Sequence, residues 1–237
     1  TTVSVQHGQF GDTTVVTPQT LPTVTLDQLQ REFVTVVAAD AVRNGQIYGL
    51  PASLDTMAVY YNKDLLDRAQ IPEPPKTWED FQANVKKLTK YDRATGKITQ
   101  AGAALGTGTT VPWSDDVLGI LFKQSNVSFV DRNGRAVFNS RPSGNNNGET
   151  AAMSVMNFYT DFANPTRDTY TWNDSMGNGL DSFIAGKTAF FFGYSFHNAI
   201  IKSRAPQLNY DILPLFQLNP DQPVNAAYYS LETVLSK

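Results

Sequence analysis

Short apolar runs bounded by turn residues alternate with segments of helical period, and this alternation constrains the fold more than any other feature. Met57–Tyr61, Thr188–Phe192 and Tyr210–Leu215 read as buried strands. Leu26, Leu29, Phe33 and Val36/Val37 recur at helical spacing, as do Phe81, Val85 and Leu88. Ala152, Val155, Met156, Tyr159 and Phe162 do the same, and Leu180, Phe183 and Ile184 lead to a stop at Gly186-Lys187. Thr25, with Gln28 three residues on, predicts a capped helix start; Thr77, with Asp80, predicts another. Asn44-Gly45, Thr95-Gly96 and Asn133-Gly134 are turn signals, and Ser143–Gly148 reads as a polar loop. Residues 1–23 show no sustained period and read as loop or short strand. The pattern predicts an α/β chain with largely parallel sheets.

At 237 residues the chain is long enough for one large or two modest domains with a real core. Its content of 41% hydrophobic and 17% charged residues is that of a globular protein. A net charge of −3 gives no electrostatic case for nucleic acid or an anionic membrane as partner. There is no cysteine, which removes disulfides, thiolate metal sites and a cysteine nucleophile together.

The inventory of chemistry-bearing residues is thin. His7 and His197 are the two histidines, and no nucleotide-binding or nucleophile-elbow motif is present in its proper context. Asp131–Gly134 has the start of a calcium loop without its later acidic ligands, so a hairpin turn is expected there. Asp115-Asp116 are adjacent, and adjacent side chains diverge on any regular element, which argues against a paired-carboxylate role. Aromatic residues are what the chain offers instead, with 14 Phe, 10 Tyr and 3 Trp. Trp113, Trp172 and Tyr194-Ser195-Phe196-His197 stand beside polar or turn residues. Aromatic platforms flanked by hydrogen-bonding groups suit sugars, which present apolar C–H faces and a rim of hydroxyls. His197 itself reads as a hydrogen-bonded structural histidine, and Trp78 as packing.

Several segments together resemble one family. Ile47-Tyr48-Gly49-Leu50-Pro51, Asp55-Thr56, Tyr60-Tyr61-Asn62-Lys63-Asp64-Leu65-Leu66 and Pro74-Pro75-Lys76-Thr77-Trp78-Glu79-Asp80-Phe81 form the first set. Phe183–Phe190, Gly193–Phe196 and Tyr210–Pro214 follow in order. This set resembles the extracellular solute-binding proteins of ABC importers, in the carbohydrate-binding family that includes maltose-binding protein.

The resemblance implies a periplasmic-binding-protein-like α/β fold of two lobes joined by a hinge. It places residues 1–54 in a partial first lobe, 55–57 at the crossover, 58–211 in the second lobe and 212–237 in the return crossover with more of the first lobe. It implies capture of a carbohydrate, expected to be an oligosaccharide, and delivery to an ABC permease, with no cofactor, no metal and no catalysis. A monomer is expected, outside the cytoplasm, with lipid anchoring through a cysteine ahead of Thr1. The family's opening strand–helix–strand unit and closing helices find no counterpart here, so the chain is expected to be cut short at both ends. Ligand contacts implied by position are Asp55 and Thr56 at the crossover, Trp113, Trp172, Tyr194, Phe196, and Tyr228 with Tyr229. The alternatives are a secreted carbohydrate-active hydrolase and a cell-surface glycan-binding module without transport.

Overall fold

The computed structural model describes residues 2–8, 11–17, 24–139 and 150–232, with side chains at 3–8, 11–15, 24–139 and 150–226. The chain divides into two compact units, one of residues 1–53 with 229–237 and one of residues 54–228. The expected loop at 143–148 lies outside the described residues.

In the smaller unit, β1 (Thr2–Gly8) and β2 (Gly11–Thr17) form an antiparallel hairpin. Thr25 caps α1 (Leu26–Glu32) through a full capping box with Gln28. The helical period read across 26–37 breaks at Phe33 and Val34, both extended, and α2 (Thr35–Ala41) starts afresh. Asn44 and Gly45 both take positive φ (52° and 74°) and close a two-residue hairpin between β3 (Val42–Arg43) and β4 (Gln46–Ile47). Asn-Gly suits such a turn because both central residues must be left-handed.

The larger unit is built on one sheet. β5 (Leu50–Asn62) enters it, followed by α3 (Lys63–Arg68), α4 (Trp78–Leu88), β6 (Lys90–Tyr91) and β7 (Ile98–Ala103). Next come α5 (Ser114–Gln124), α6 (Ala151–Asp161), α7 (Gly179–Ile184), β8 (Thr188–Tyr194), α8 (Phe196–Arg204) and β9 (Tyr210–Pro214); β10 (Ala227–Glu232) starts at the end of this unit and runs on into residues of the smaller one. Strand order is β10-β5-β8-β7-β6, with β9 also paired to β5. β7 and β8 are parallel, whereas β5 is antiparallel to both β8 and β9, and β6 to β7. The sheet is therefore mixed rather than largely parallel. β5 carries the chain into the unit and β9 leads it back out, so the two run in opposite senses.

All seven residues of β8 are buried. Its period of two splits the aromatic run: Phe190, Phe192 and Tyr194 face a core with Met57, Val59, Trp78 and Phe81, while Phe191 faces a second core with Tyr60, Phe183 and Ile201. The first core is a ring network. Phe81 lies 5.3–5.7 Å from Phe162, Phe190, Phe192 and Phe216, and Trp78 stacks on Phe192 at 5.8 Å. The buried Trp78 indole N–H donates to Gln124 Oε1 (3.0 Å), whose amide donates in turn to the Phe216 carbonyl (2.8 Å).

Truncating Phe81, which is fully buried, removes contacts to both the strand and the helices above it. Phe81→Ala is expected to cost about 3–5 kcal/mol, read as a lowered urea midpoint of the larger unit with an unchanged slope.

Candidate functional site

β7 and β8 run parallel, with Ala103 opposite Phe190, so their carboxyl ends open on the same edge of the sheet. In open α/β sheets that edge is where ligands bind. The segment after β7 delivers Trp113 there, and the end of β8 delivers Tyr194, Ser195 and Phe196.

Met57 pairs with Tyr194 in the antiparallel register, so Asp55 falls level with Phe196. Its carboxylate accepts the backbone N–H groups of Thr56 (2.7 Å) and Ser195 (3.0 Å) on Oδ1 and of Phe196 (3.2 Å) on Oδ2. Ser195 provides no side-chain cap of its own, so Asp55 caps α8 from another strand. A carboxylate at a helix N-terminus also meets the positive end of the helix dipole. Burial acts to raise the Asp55 pKa, but the Ser195, Thr56 and Phe196 donors outweigh it and hold it below the usual aspartate value. Thr56 is exposed and adjoins the site through its backbone.

Three aromatic rings meet at this edge. Trp113 stands edge-on to Tyr194 (5.2 Å, 90°) and to Phe196 (6.0 Å, 77°), and Tyr194 lies nearly parallel to Phe196 (6.0 Å, 13°). Tyr194 is 1% exposed and Phe196 38%. Trp113 is partly buried. The ring surface open to a ligand therefore belongs to Phe196 and Trp113, with Tyr194 behind them. The Tyr194 hydroxyl donates to Asp116 Oδ2 at 2.7 Å. Burial, then that bond and the charges of Asp116 and Asp115, raise its pKa far above the ordinary tyrosine value. Tyr60 supports the strand end from below: its hydroxyl donates to the Tyr194 carbonyl at 2.7 Å, and burial pushes its pKa up to about 12.

Trp113 holds a left-handed backbone (φ 59°, ψ 27°) at the start of α5. For a bulky residue this costs of order 1–3 kcal/mol, and the ring contacts stabilise it. The indole N–H points at His197 Nε2, 3.2 Å away.

The structure brings Asp55, Thr56, Trp113, Tyr194 and Phe196 together. Trp172 is elsewhere: fully buried, it packs with Ala101, Ala104 and Val111 and donates its indole N–H to Thr110 Oγ1 at 3.0 Å. Tyr228 and Tyr229 lie on β10, and their side chains fall outside the described ones. Two members of the group have partners too distant in the chain for the sequence to name, although His197 does take the hydrogen-bonded structural place expected of it. Asp116 meets Tyr194 across 78 positions, and His197 meets Trp113 across 84. Among the described residues, no group of three or more His, Cys, Asp or Glu could hold a metal ion.

A family model described as bacterial extracellular solute-binding protein matches residues 9–233. The chain belongs to that family. Such a solute-binding protein works outside the cytoplasm, as the family's description states. The arabinooligosaccharide-binding protein of Bacillus subtilis strain 168 is 30% identical over 100 residues, which are 41% of this chain and 20% of the relative. The structure of CpMnBP1 with mannobiose bound superposes with a TM-score of 0.61 at 19% identity, covering 88% of this chain and 52% of that one. The ABC substrate-binding protein from Listeria monocytogenes in complex with cycloalternan gives 0.62 at 18%, covering 87% and 47%. This solute-binding protein chain thus shares their fold and spans about half the length of the solved proteins it matches.

Losing the Asp55 cap should weaken the fold in a pH-dependent way. Asp55→Ala is expected to cost about 1 kcal/mol near neutral pH. Because the folded-state pKa is depressed, the stabilisation is full above the unfolded value of about 3.9 and is lost as pH falls through the lower folded value. Thermal melts from pH 7 to 2.5 should show parent and variant converging at the acid end.

Proposed function

We propose that the protein captures a carbohydrate, an oligosaccharide in particular, for import by an ABC permease. The single observation that carries this reading is the pairing of an exposed Phe196 ring with Trp113 at the carboxyl edge of β7 and β8, rimmed by the Asp55 and Asp116 carboxylates. Aromatic rings cover the C–H face of a pyranose, and the polar rim exchanges hydrogen bonds with its hydroxyls. The names of the relatives support the ligand class: one is an arabinooligosaccharide-binding protein and another has mannobiose bound.

In this reading Phe196 and Trp113 make the ligand platform, and Tyr194 backs it. Asp55 acts chiefly by fixing the Ser195–Phe196 turn, since its oxygens already receive three backbone donors. The remaining acceptor capacity of Asp55, with the Thr56 side chain, faces the sugar hydroxyls. Residues 55–57 serve as the hinge crossover, and Tyr228 and Tyr229 supply further contacts. No bond is made or broken, so the ligand leaves as it arrived. The protein works as a monomer that hands its ligand to the membrane permease.

The reading is tested by titrating the 237-residue chain calorimetrically with arabino-, manno- and malto-oligosaccharides and examining the sugars afterwards. Saturable binding with the sugar intact is expected, and Phe196→Ala or Trp113→Ala should each weaken it by about tenfold or more, equivalent to about 1.4 kcal/mol. Sugar cleavage, or equal affinity in both variants and the parent, would overturn it.

A further inference from the structure

His197 is 3% exposed and is the second residue of α8, where four neighbours converge on its ring. The Trp113 indole N–H reaches Nε2 at 3.2 Å. Nδ1 lies 3.1 Å from the Tyr194 carbonyl and 3.0 Å from the Tyr194 N–H. The Phe196 ring stacks on the imidazole at 4.2 Å, and Phe191 meets it edge-on at 5.3 Å. Gly193 makes room for this arrangement: a Cβ there would stand 2.9 Å from Nδ1 and 2.6 Å from the Phe191 ring. The imidazole is thus a wedge that links the ligand-facing rings to the end of β8.

The two contacts of Nδ1 cannot both be hydrogen bonds, because a protonated Nδ1 only donates and an unprotonated one only accepts. An indole N–H only donates, so an Nε2 that accepts it carries no proton. A neutral imidazole whose Nε2 accepts the indole N–H bears its proton on Nδ1 and donates to the Tyr194 carbonyl, facing the Tyr194 N–H; one whose Nδ1 accepts the Tyr194 N–H bears its proton on Nε2, facing the indole N–H. The Trp113 indole and the Tyr194 N–H thus call for opposite tautomers.

We propose that His197 is the positioning residue of the aromatic platform: by accepting the Trp113 indole N–H it fixes the plane that Trp113 presents, and protonation releases it. This rests on Trp113 being part of the ligand platform, as argued above. A protonated imidazole donates from both nitrogens and leaves the indole N–H facing a like donor. The charged and titratable groups around the ring are Asp55 on β5, Asp116 and Asp115 on α5, Tyr194 on β8 and Tyr60 on β5. The Asp55 carboxylate favours the imidazolium, Asp116 and Asp115 act on the Tyr194 hydroxyl, and the two phenols stay neutral near pH 7. Burial outweighs the Tyr194 carbonyl bond and the Asp55 charge, and holds the His197 pKa below its ordinary 6.5. The platform is accordingly assembled at neutral pH and loosens in acid.

The decisive experiment is imidazole and indole nitrogen NMR on the ligand-free 237-residue chain, from pH 8 to 4.5, in parent, Trp113→Phe and His197→Gln. The parent should show His197 protonated on Nδ1 and not Nε2, with its acid titration tracked by the Trp113 indole signal. Trp113→Phe should move the proton to Nε2, and His197→Gln, whose amide oxygen can accept the indole N–H, should make that signal independent of pH. An Nε2–H tautomer in the parent, an unchanged tautomer in Trp113→Phe, or an indole signal flat across the parent's titration would overturn the proposal. For an oligosaccharide the parent binds, His197→Leu should lose about tenfold in affinity, with His197→Gln restoring most of it; equal affinity in His197→Leu and parent would also overturn it. If His197→Leu does not fold, the tautomer in Trp113→Phe still decides. A parent that binds no saccharide would sink the carbohydrate reading alone, since the tautomer is read without ligand.

Discussion

Burial of β8 on both faces over its whole length is the constraint on which the larger unit depends. A strand so placed must carry apolar side chains on either side, and the run Thr188–Tyr194 does so with phenyl rings that alternate between two cores. One core takes up Trp78, Phe81 and Phe216, and the other takes up Tyr60, Phe183 and Ile201. The helices α4, α7 and α8 pack where those rings need cover. Every hydrogen bond of β8 to β5 and β7 is made within that double layer, so its end is fixed in space. Tyr194, Ser195 and Phe196 inherit that position, and a binding surface benefits because ordering its side chains costs little further entropy.

The same edge shows how a fold can hold a strained residue. Trp113 adopts a left-handed backbone that few bulky residues accept, and the rings of Tyr194 and Phe196 together with the His197 acceptor keep it there. Asp55 does comparable service for Phe196 by capping α8 across the sheet. The proposed site thus draws on β5, the start of α5 and the β8–α8 corner, held by the Asp55 cap, the Asp116 carboxylate and the His197 ring.

How much of this could be read from the sequence depended on the range of each interaction. Local rules worked where the partner is close: Thr25 with Gln28, Thr77 with the Asp80 N–H, and Gly186 ending α7 all act within four residues. The Asp131–Gly134 segment is a hairpin turn, bridged by Val130 and Ala136, as its residues suggested. Strand direction was misjudged because alternation says which face a residue takes and nothing about the sense of its neighbour. The split of the first helical segment at Phe33–Val34 has no sequence signal because the apolar spacing continues across the break. Trp113 and Trp172 stand in similar polar surroundings in the sequence, yet one is partly buried at an edge and the other is sealed against Thr110. Only the packing of distant segments separates them, and the same packing supplies the partners of Asp116 and His197.

The central claim is that one indole of three, Trp113, meets a saccharide. Fluorine NMR of the chain labelled with 5-fluorotryptophan gives a separate signal for each tryptophan, with Trp78 and Trp172 buried in their cores. Adding the arabino-, manno- or malto-oligosaccharide that binds best should shift the Trp113 signal, assigned through Trp113→Phe, and leave the other two in place. A saccharide that binds without moving the Trp113 signal, or that moves Trp78 or Trp172 instead, would contradict the account.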